Sequence, residues 1–230
     1  MGNGAELTAN TASQAEHERT KTQRMTRYDA EFWEQHYRTL DPNWGTSPNQ
    51  TMVDTIRALF PAAGTALELG AGHGGDTLWL ARHGWTVTAL DVAQTALDRI
   101  VAHAVEQDLS HRVRTVRRDA TTQPLPDGPF DVVFGSFFYA PGRDSIWRRA
   151  AETVKPGGAL IIVDHGSSAP WSWDRTSHAH PTPEQLANAL DLGPAWYSEL
   201  LDTRARMATG PGGQRAEVID TIVALRRKAG

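Results

Sequence analysis

Between residues 66 and 164, short apolar segments alternate with segments of helical periodicity. The apolar segments lie at 66–69, 86–90, 113–117, 130–136 and 159–164, and helices are predicted at 75–82, 94–107 and 145–154. Strands that alternate with helices form a mainly parallel sheet with right-handed crossovers. The sequence therefore predicts an α/β fold in which helices cover both faces of the sheet.

Two more strands are predicted near the C-terminal end. Residues 197–208 and 216–227 flank a Gly-Pro-Gly-Gly turn at 210–213, a pattern typical of an antiparallel hairpin. The predicted fold class is α/β: a Rossmann-like, seven-stranded, mostly parallel sheet with helices on both faces and a C-terminal antiparallel hairpin.

The segments around this sheet set the expected domain organisation. Residues 1–25 are polar and are predicted to be a disordered tail, and 26–230 are expected to form a single domain. Residues 26–60 form a predicted N-terminal helical cap. It has a helix at 28–39 and a second helix with Ser47 as N-cap, Pro48 as first residue and Gln50 as capping-box partner. Residues 165–182 form a long loop rich in aromatic residues and histidine.

Composition excludes several classes of site and partner. The 230 residues contain no cysteine, which excludes disulfides, cysteine nucleophiles and thiolate metal sites. A net charge of −4 argues against nucleic acid as a partner. No apolar run approaches the roughly 18 residues of a membrane helix, and we find no secretory signal. We therefore expect a cytoplasmic protein with no membrane partner.

The glycine turn after the first strand, ALELGAGHGGDT at 66–77, fits two different spacings. Gly70, Gly72 and Gly75 satisfy the dinucleotide pattern Gly-x-Gly-x-x-Gly. Glu68 together with Gly70, Gly72 and Gly74 satisfies a second pattern, acid-x-Gly-x-Gly-x-Gly. The first spacing predicts NAD chemistry and the second predicts S-adenosyl-L-methionine, so the glycines alone leave the cofactor open.

Two carboxylates bear on that choice. Asp91 follows the second strand and can accept hydrogen bonds from ribose hydroxyls of either cofactor. Glu68, at the end of the first strand, repels a pyrophosphate in a partly desolvated cleft and attracts an ammonium and a sulfonium. The sequence therefore favours S-adenosyl-L-methionine. Asp119, after the third strand, is placed to accept from the adenine amine.

These segments resemble the motifs of class I S-adenosylmethionine-dependent methyltransferases in order and spacing over residues 28–228. The helical entry with its tryptophans is most similar to the small bacterial branch of tellurite-resistance and thiopurine methyltransferase-like proteins. The resemblance implies transfer of a methyl group to an N, O or S atom of a small molecule by in-line displacement. The segment GSFFYAPG at 135–142 departs from the Asn-Pro-Pro-Tyr of enzymes acting on nucleic acid or protein, which disfavours those substrates.

The resemblance also implies a set of site residues. Those expected to bind the cofactor are Glu68, Gly70, Ala71, Gly72, Gly74, Asp91, Val92, Asp119, Ala120, Ser136 and Phe137. His165, after the fifth strand, is predicted to be catalytic because a neutral imidazole can take a proton from an N–H or O–H nucleophile. Tyr139 is the second predicted catalytic residue, and either orients the acceptor or packs. The predicted acceptor-binding residues are Trp33, Tyr37, Trp44, Trp171 and His178.

Several alternatives remain open from the sequence. An enzyme of the same fold can use the cofactor for intramolecular cyclisation or for transfer of another group, and a non-catalytic subunit can merely bind it. An NAD-dependent oxidoreductase is disfavoured by Glu68. We expect no metal site, because a His-x-His pair such as His178 and His180 does not by itself make one. The expected partner is a small-molecule acceptor, and the expected assembly is a monomer or homodimer.

Overall fold

The computed structural model describes residues 28–172 and 180–230, so the predicted tail and His178 lie outside the described residues. The described helices are α1 Ala30–Thr39, α2 Gln50–Leu59, α3 Gly75–Arg82, α4 Gln94–Glu106, α5 Arg143–Glu152 and α6 Pro183–Leu190. The described strands are β1 Thr65–Leu69, β2 Thr86–Asp91, β3 Val113–Arg117, β4 Phe130–Ser136, β5 Val154–His165, β6 Trp196–Thr209 and β7 Arg215–Arg227. Within these ranges, no helix is both long enough and apolar enough to cross a bilayer.

The strands form one seven-stranded sheet in the order β3-β2-β1-β4-β5-β7-β6. Strands β1 to β5 pair in parallel, whereas β7 is antiparallel to both β5 and β6. The predicted fold class is therefore confirmed. In a sheet of this kind, ligands bind beyond the carboxyl ends of the parallel strands.

Helices pack against both faces of the sheet, as the alternating side chains of β5 illustrate. Leu160 and Ile162 belong to a buried cluster with Trp147 of α5. Ile161 and Val163 point to the opposite face and join a cluster with Met52 and other residues of α2. Apolar residues on both faces of a strand are typical of a sheet covered on both sides.

The predicted start of α2 is wrong by two residues. Helix α2 begins at Gln50, and its N-cap is Asn49 rather than Ser47. The Asn49 side chain accepts a hydrogen bond from the Met52 N–H at 3.0 Å. It also donates to the Asp220 carboxylate, and the Asn49 backbone N–H donates to Asp76. Both residue types are good caps, and these two long-range hydrogen bonds favour Asn49.

The predicted start of the fifth strand, at residue 159, is also wrong. Strand β5 begins at Val154 and includes the Lys155-Pro-Gly-Gly segment. Phe130 pairs with Val154 and Val132 pairs with Ala159, so the register shifts across this segment. The extra residues are absorbed as an irregularity within one strand, which a local sequence pattern does not distinguish from a turn.

The choice of helix cap can be tested by stability measurements. Asn49→Ala removes both the cap and the hydrogen bond to Asp220, and we expect it to lower the free energy of unfolding by about 2 kcal/mol. Ser47→Ala is the matched control and is expected to change it by less than about 0.5 kcal/mol. Urea unfolding of both variants measures the difference. A larger loss for Ser47→Ala than for Asn49→Ala would restore the original prediction.

Candidate functional site

The glycine turn leaves β1 and folds back onto the end of β2. Gly70, Gly72 and Gly74 all have positive φ, between 51° and 81°, a conformation that favours glycine. The N–H groups of Gly70 and Ala71 both donate to the Leu90 carbonyl, at 2.8 and 3.0 Å. The turn therefore uses its amides to hold itself against the neighbouring strand.

Asp91, the last residue of β2, completes this arrangement. One carboxylate oxygen accepts from the Gly72 N–H at 2.9 Å, and the other accepts from the Ala93 N–H at 2.9 Å. Burial raises the pKa of Asp91, and these two hydrogen bonds oppose the rise. A carboxylate oxygen can accept more than one hydrogen bond, so Asp91 both fixes the turn and retains capacity for a ligand hydroxyl.

Glu68 projects from β1 and is only 3 % exposed. Its carboxylate accepts a hydrogen bond from the Thr77 hydroxyl and so joins β1 to α3. Burial raises the pKa of Glu68 well above its ordinary value, and the nearby charges of Asp76 and Asp91 raise it further. The Glu68 carboxylate therefore lies among other acids in a region shielded from water.

Asp76 is the third buried carboxylate near the turn, and the sequence analysis did not include it among the site residues. It accepts from the Asn49 N–H at 2.7 Å and from the Ser136 hydroxyl at 2.6 Å. These bonds connect the starts of α2 and α3 to the end of β4. Burial raises the pKa of Asp76 to about 6, although both hydrogen bonds oppose the rise. Its place in the first turn of α3, two residues after Gly74, was the available sequence signal.

This donor set fits a cationic ligand better than a pyrophosphate. A dinucleotide phosphate needs free backbone N–H groups at the turn, but those of Gly70, Ala71, Gly72 and Gly74 already donate within the protein. The buried side chains nearby are acids. Uncompensated buried carboxylates are unfavourable, and a positively charged group reduces that penalty. The residues present therefore fit the ammonium and sulfonium of S-adenosyl-L-methionine.

Two predicted aromatic residues of the N-terminal cap, Trp33 and Tyr37, pack against each other beside the turn. The Tyr37 hydroxyl oxygen lies 2.9 Å from the position that a Cβ at Gly72 would take. Burial raises the pKa of Tyr37 well above its ordinary value, and the charges of Asp91 and Glu68 add to this effect. The Trp33 ring stacks 6.3 Å from the Tyr37 ring. The cap therefore covers the glycine turn through Tyr37.

His73, inside the glycine turn, links the cap to the hairpin. Its ring lies 5.2 Å from that of Tyr37 and 5.8 Å from that of Trp44. The Trp44 indole N–H donates to the Thr209 carbonyl at 3.1 Å, at the end of β6. Burial and the charge of Arg99 lower the pKa of His73 to about 4, so the ring is neutral at pH 7.

The residues expected at adenine lie beyond β2 and β3. Asp119 closes its own turn, because one of its oxygens accepts from the Thr121 N–H at 2.9 Å. The Ala120 carbonyl accepts from Arg149 and the Val92 carbonyl accepts from Arg117. In the described part of the chain, no hydrogen bond uses the second Asp119 oxygen or the Ala120 N–H. Both remain free for a ligand.

Phe137, after β4, has φ of +59°, a conformation that is strained for a residue with a side chain. Its ring stacks on that of His165 at 4.2 Å and 13°. The Arg206 guanidinium lies 5.5 Å from the same ring. Strain of this kind is common at functional sites, and here it brings residues of β4, β5 and β6 together.

The two predicted catalytic residues lie in different side-chain clusters. His165 stacks on Phe137, whereas the Tyr139 ring contacts Tyr28, next to α1, at 4.7 Å. His165 is an exposed residue at the end of β5, but desolvation by the groups packed around it lowers the pKa of its imidazole, and the charges of Asp164 and Asp220 oppose this shift. His165 is therefore neutral at pH 7, which a general base requires.

The hairpin contributes residues that the sequence analysis missed. Asp220 of β7 is fully buried and accepts from Arg206 at 2.6 Å and from Asn49 at 3.2 Å. An acid within the apolar run VIDTIVAL was the sequence signal. Trp171 lies against Gly210 in the hairpin turn, where an added Cβ would be 2.6 Å from its ring. The first part of the 165–182 loop, which the structure describes, therefore contacts the hairpin.

Comparison with known proteins identifies the central part of the chain. Residues 66–158 match the family model described as a methyltransferase domain. The chain is 33 % identical over 118 residues to a sarcosine/dimethylglycine N-methyltransferase of Halorhodospira halochloris, covering 50 % of this chain and 42 % of that protein. It is 28 % identical over 138 residues to 27-O-demethylrifamycin SV methyltransferase of Amycolatopsis mediterranei, covering 58 % and 49 %. The chain thus spans about half the length of these relatives.

Solved structures match over a longer range. A structure reported for the conversion of a disulfide bond into a thioacetal group during echinomycin biosynthesis has a TM-score of 0.67 at 22 % identity. That match covers 87 % of this chain and 93 % of the other. TehB from Haemophilus influenzae has a TM-score of 0.60 at 19 % identity, covering 86 % and 66 %. At these identities the similarity establishes the fold.

The raised pKa of Asp76 predicts a pH-dependent stability. Between its ordinary value of 3.8 and about 6, the unfolded state loses the proton and the folded state keeps it, so stability falls as pH rises. Asp76→Asn stays uncharged, and the Ser136 hydroxyl can rotate to donate or accept. We expect the variant to gain about 2 kcal/mol relative to wild type between pH 4 and pH 8, measured by urea unfolding. A difference independent of pH would contradict the burial of a charged Asp76.

The fold and the matched segment agree. Strand β7 is antiparallel, whereas β1 to β5 pair in parallel, and the matched domain spans β1 through the start of β5. TehB and the other solved structure share this fold. Residues 66–158 of this chain therefore match a methyltransferase domain.

Proposed function

We propose that this chain transfers the methyl group of S-adenosyl-L-methionine to an N, O or S atom of a small molecule. The observation that carries the proposal is the set of three buried carboxylates, Glu68, Asp76 and Asp91, beside a glycine turn in which the N–H groups of Gly70, Ala71, Gly72 and Gly74 already donate within the protein. When bound, S-adenosyl-L-methionine supplies a methyl group on a positively charged sulfur, with a neutral thioether as leaving group.

The described residues divide the binding of this cofactor among them. Asp91 retains acceptor capacity for ribose hydroxyls, and Asp119 and Ala120 retain an oxygen and an N–H for adenine. Asp76, whose pKa is about 6, supplies negative charge that favours the methionine ammonium above that pH, and Glu68 lies beside it as a further buried acid. Each of these proposed roles can be tested by substituting the residue.

The acceptor side is proposed to lie between the cap, the 165–182 loop and the hairpin. Phe137, His165 and Trp44 give this region aromatic walls. Aromatic rings exclude water and tolerate the positive sulfur, and in-line displacement depends mainly on alignment. The relatives named as N- and O-methyltransferases of sarcosine, dimethylglycine and a rifamycin support a small-molecule acceptor.

The requirement for a base depends on the acceptor. An acceptor that reacts through an O–H or a protonated nitrogen must lose a proton, and His165 is the neutral imidazole on this side. A thiolate or neutral amine needs no base. Action without a nucleic-acid or membrane partner, a cytoplasmic location, and a monomeric or homodimeric state stay predictions from the sequence.

A second candidate reaction uses the same cofactor with a different outcome. The solved structure associated with the conversion of a disulfide bond into a thioacetal group indicates that this fold takes part in more than simple methylation. Product analysis separates the reactions. Methyl transfer yields S-adenosylhomocysteine, whereas intramolecular attack within the cofactor yields methylthioadenosine.

The identity of the cofactor is tested by isothermal titration calorimetry with S-adenosylhomocysteine and with NADH. We expect S-adenosylhomocysteine to bind and NADH not to compete with it. Asp91→Ala removes the acceptor of the Gly72 N–H and of the ligand hydroxyls, and we expect it to weaken binding by at least about tenfold. Asp98→Ala, on the exposed side of α4, is the control. Unchanged affinity in folded Asp91→Ala would falsify the ribose assignment.

The charge of Asp76 predicts that cofactor affinity depends on pH. Because the pKa of Asp76 is about 6, its carboxylate ionises as pH rises through that value and then attracts the ligand ammonium. We expect S-adenosylhomocysteine to bind wild type more tightly at pH 8 than at pH 5.5. Asp76→Asn should bind about tenfold more weakly at pH 8 and have a flatter profile. Equal affinities of the two proteins at pH 8 would remove Asp76 from the site.

A further inference from the structure

Two carboxylates neighbour His165, and they lie on opposite faces of the sheet. Side chains alternate along a strand, so Asp164 and His165 point to opposite sides of β5. Both oxygens of Asp164 are engaged: one accepts from the His165 backbone N–H at 2.8 Å, and the other pairs with Arg143 at 2.7 Å. Asp164 is therefore committed to the α5 side of the sheet.

Asp220 lies on the same face as the His165 ring. The two residues are direct partners in the antiparallel pairing of β5 and β7. Partners of this kind have Cβ atoms about 4.5–5.5 Å apart and side chains on one face. The described residues show no hydrogen bond between the two side chains, but a rotation about side-chain bonds can bring an imidazole to a carboxylate at this spacing.

Only one oxygen of Asp220 is used by the residues that the structure describes. Oδ2 accepts from Arg206 and Asn49, whereas Oδ1 is buried with no hydrogen-bond partner in that part of the chain. A buried carboxylate oxygen without a donor is unfavourable by about 1–3 kcal/mol. Oδ1 of the fully buried Asp220 is therefore available as a hydrogen-bond acceptor on the face of the sheet that carries His165.

We propose that Asp220 is a positioning residue that orients the His165 imidazole for taking a proton from the acceptor. The proposal rests on the proposed function and specifies how its base works. The acceptor O–H or N–H bond breaks, its proton moves to one imidazole nitrogen, and its electron pair forms the bond to the methyl carbon while the carbon–sulfur pair stays on sulfur. Asp220 accepts a hydrogen bond from the other nitrogen and stabilises the imidazolium, which later releases its proton to water.

Other charged groups around His165 act in both directions. Asp164 and Asp220 favour the protonated ring, and His180 and Arg206 disfavour it. Phe137 covers one side of the ring. Arg206 also binds Asp220, so it both holds the carboxylate in place and limits the charge that reaches the imidazole. This balance keeps His165 neutral before the reaction while allowing it to accept a proton.

The proposal is tested on the full chain by NMR titration of the His165 Cε1–Hε1 signal, assigned by its loss in His165→Gln. Asp220→Asn should lower the proton affinity of His165 about tenfold, a shift that a purely structural role does not produce. Asp202→Asn, on the neighbouring β6 and paired with Arg204, is the matched control and should leave the titration unchanged. His165 titrating as in wild type in folded Asp220→Asn would overturn the proposal.

A second measurement uses wild type alone and decides the matter where Asp220→Asn does not fold. At high pH, long-range ¹H–¹⁵N spectra should show His165 as a single neutral tautomer, because Asp220 fixes which nitrogen carries the proton. The tautomer mixture of a free histidine would contradict the pairing. Asp220→Asn should still bind S-adenosylhomocysteine. If wild type itself does not bind it, the proposed function is overturned. The NMR measurements test the pairing of Asp220 with His165 separately, because they need no cofactor.

Discussion

Hydrogen bonds accepted by buried carboxylates hold the carboxyl edge of the sheet together. Glu68 joins β1 to α3, Asp91 fixes the glycine turn, and Asp76 connects two helix starts to β4. Buried acids must be compensated, and here backbone N–H groups and hydroxyls do this only in part. The same contacts that define the backbone therefore leave negative charge where a cation fits.

A row of polar groups crosses one face of the sheet at that edge. Glu68 on β1, Ser136 on β4, His165 on β5 and Asp220 on β7 share the face that α2 and α3 cover. Further from the edge, this face is apolar. Ser136 lies in the middle of this row. Its hydrogen bond to Asp76 links it to the side of the row near the glycine turn, and the other side of the row lies near the hairpin.

Much of the fold was predictable because its signals are local. The glycines and the apolar strand segments were each recognisable within a few residues, and the structure has them as expected. Asn49 and Asp220 were not, because they are 171 residues apart in the chain and their pairing exists only after folding. For the same reason sequence reasoning selected Ser47 as the helix cap and left Asp76 out of the site.

The hairpin lies at one edge of the sheet, away from the strands that carry the glycine turn. Strand β6 is an edge strand, and β7 lies between it and β5, whereas the glycine turn depends on β1 and β2 at the other half. Trp44 and Trp171 reach the hairpin from two different segments and meet it near its turn. Alterations at this edge change the surroundings of His165 while the hydrogen bonds of the glycine turn stay intact. Under the proposed function, this architecture would let the acceptor side vary while the cofactor side is preserved.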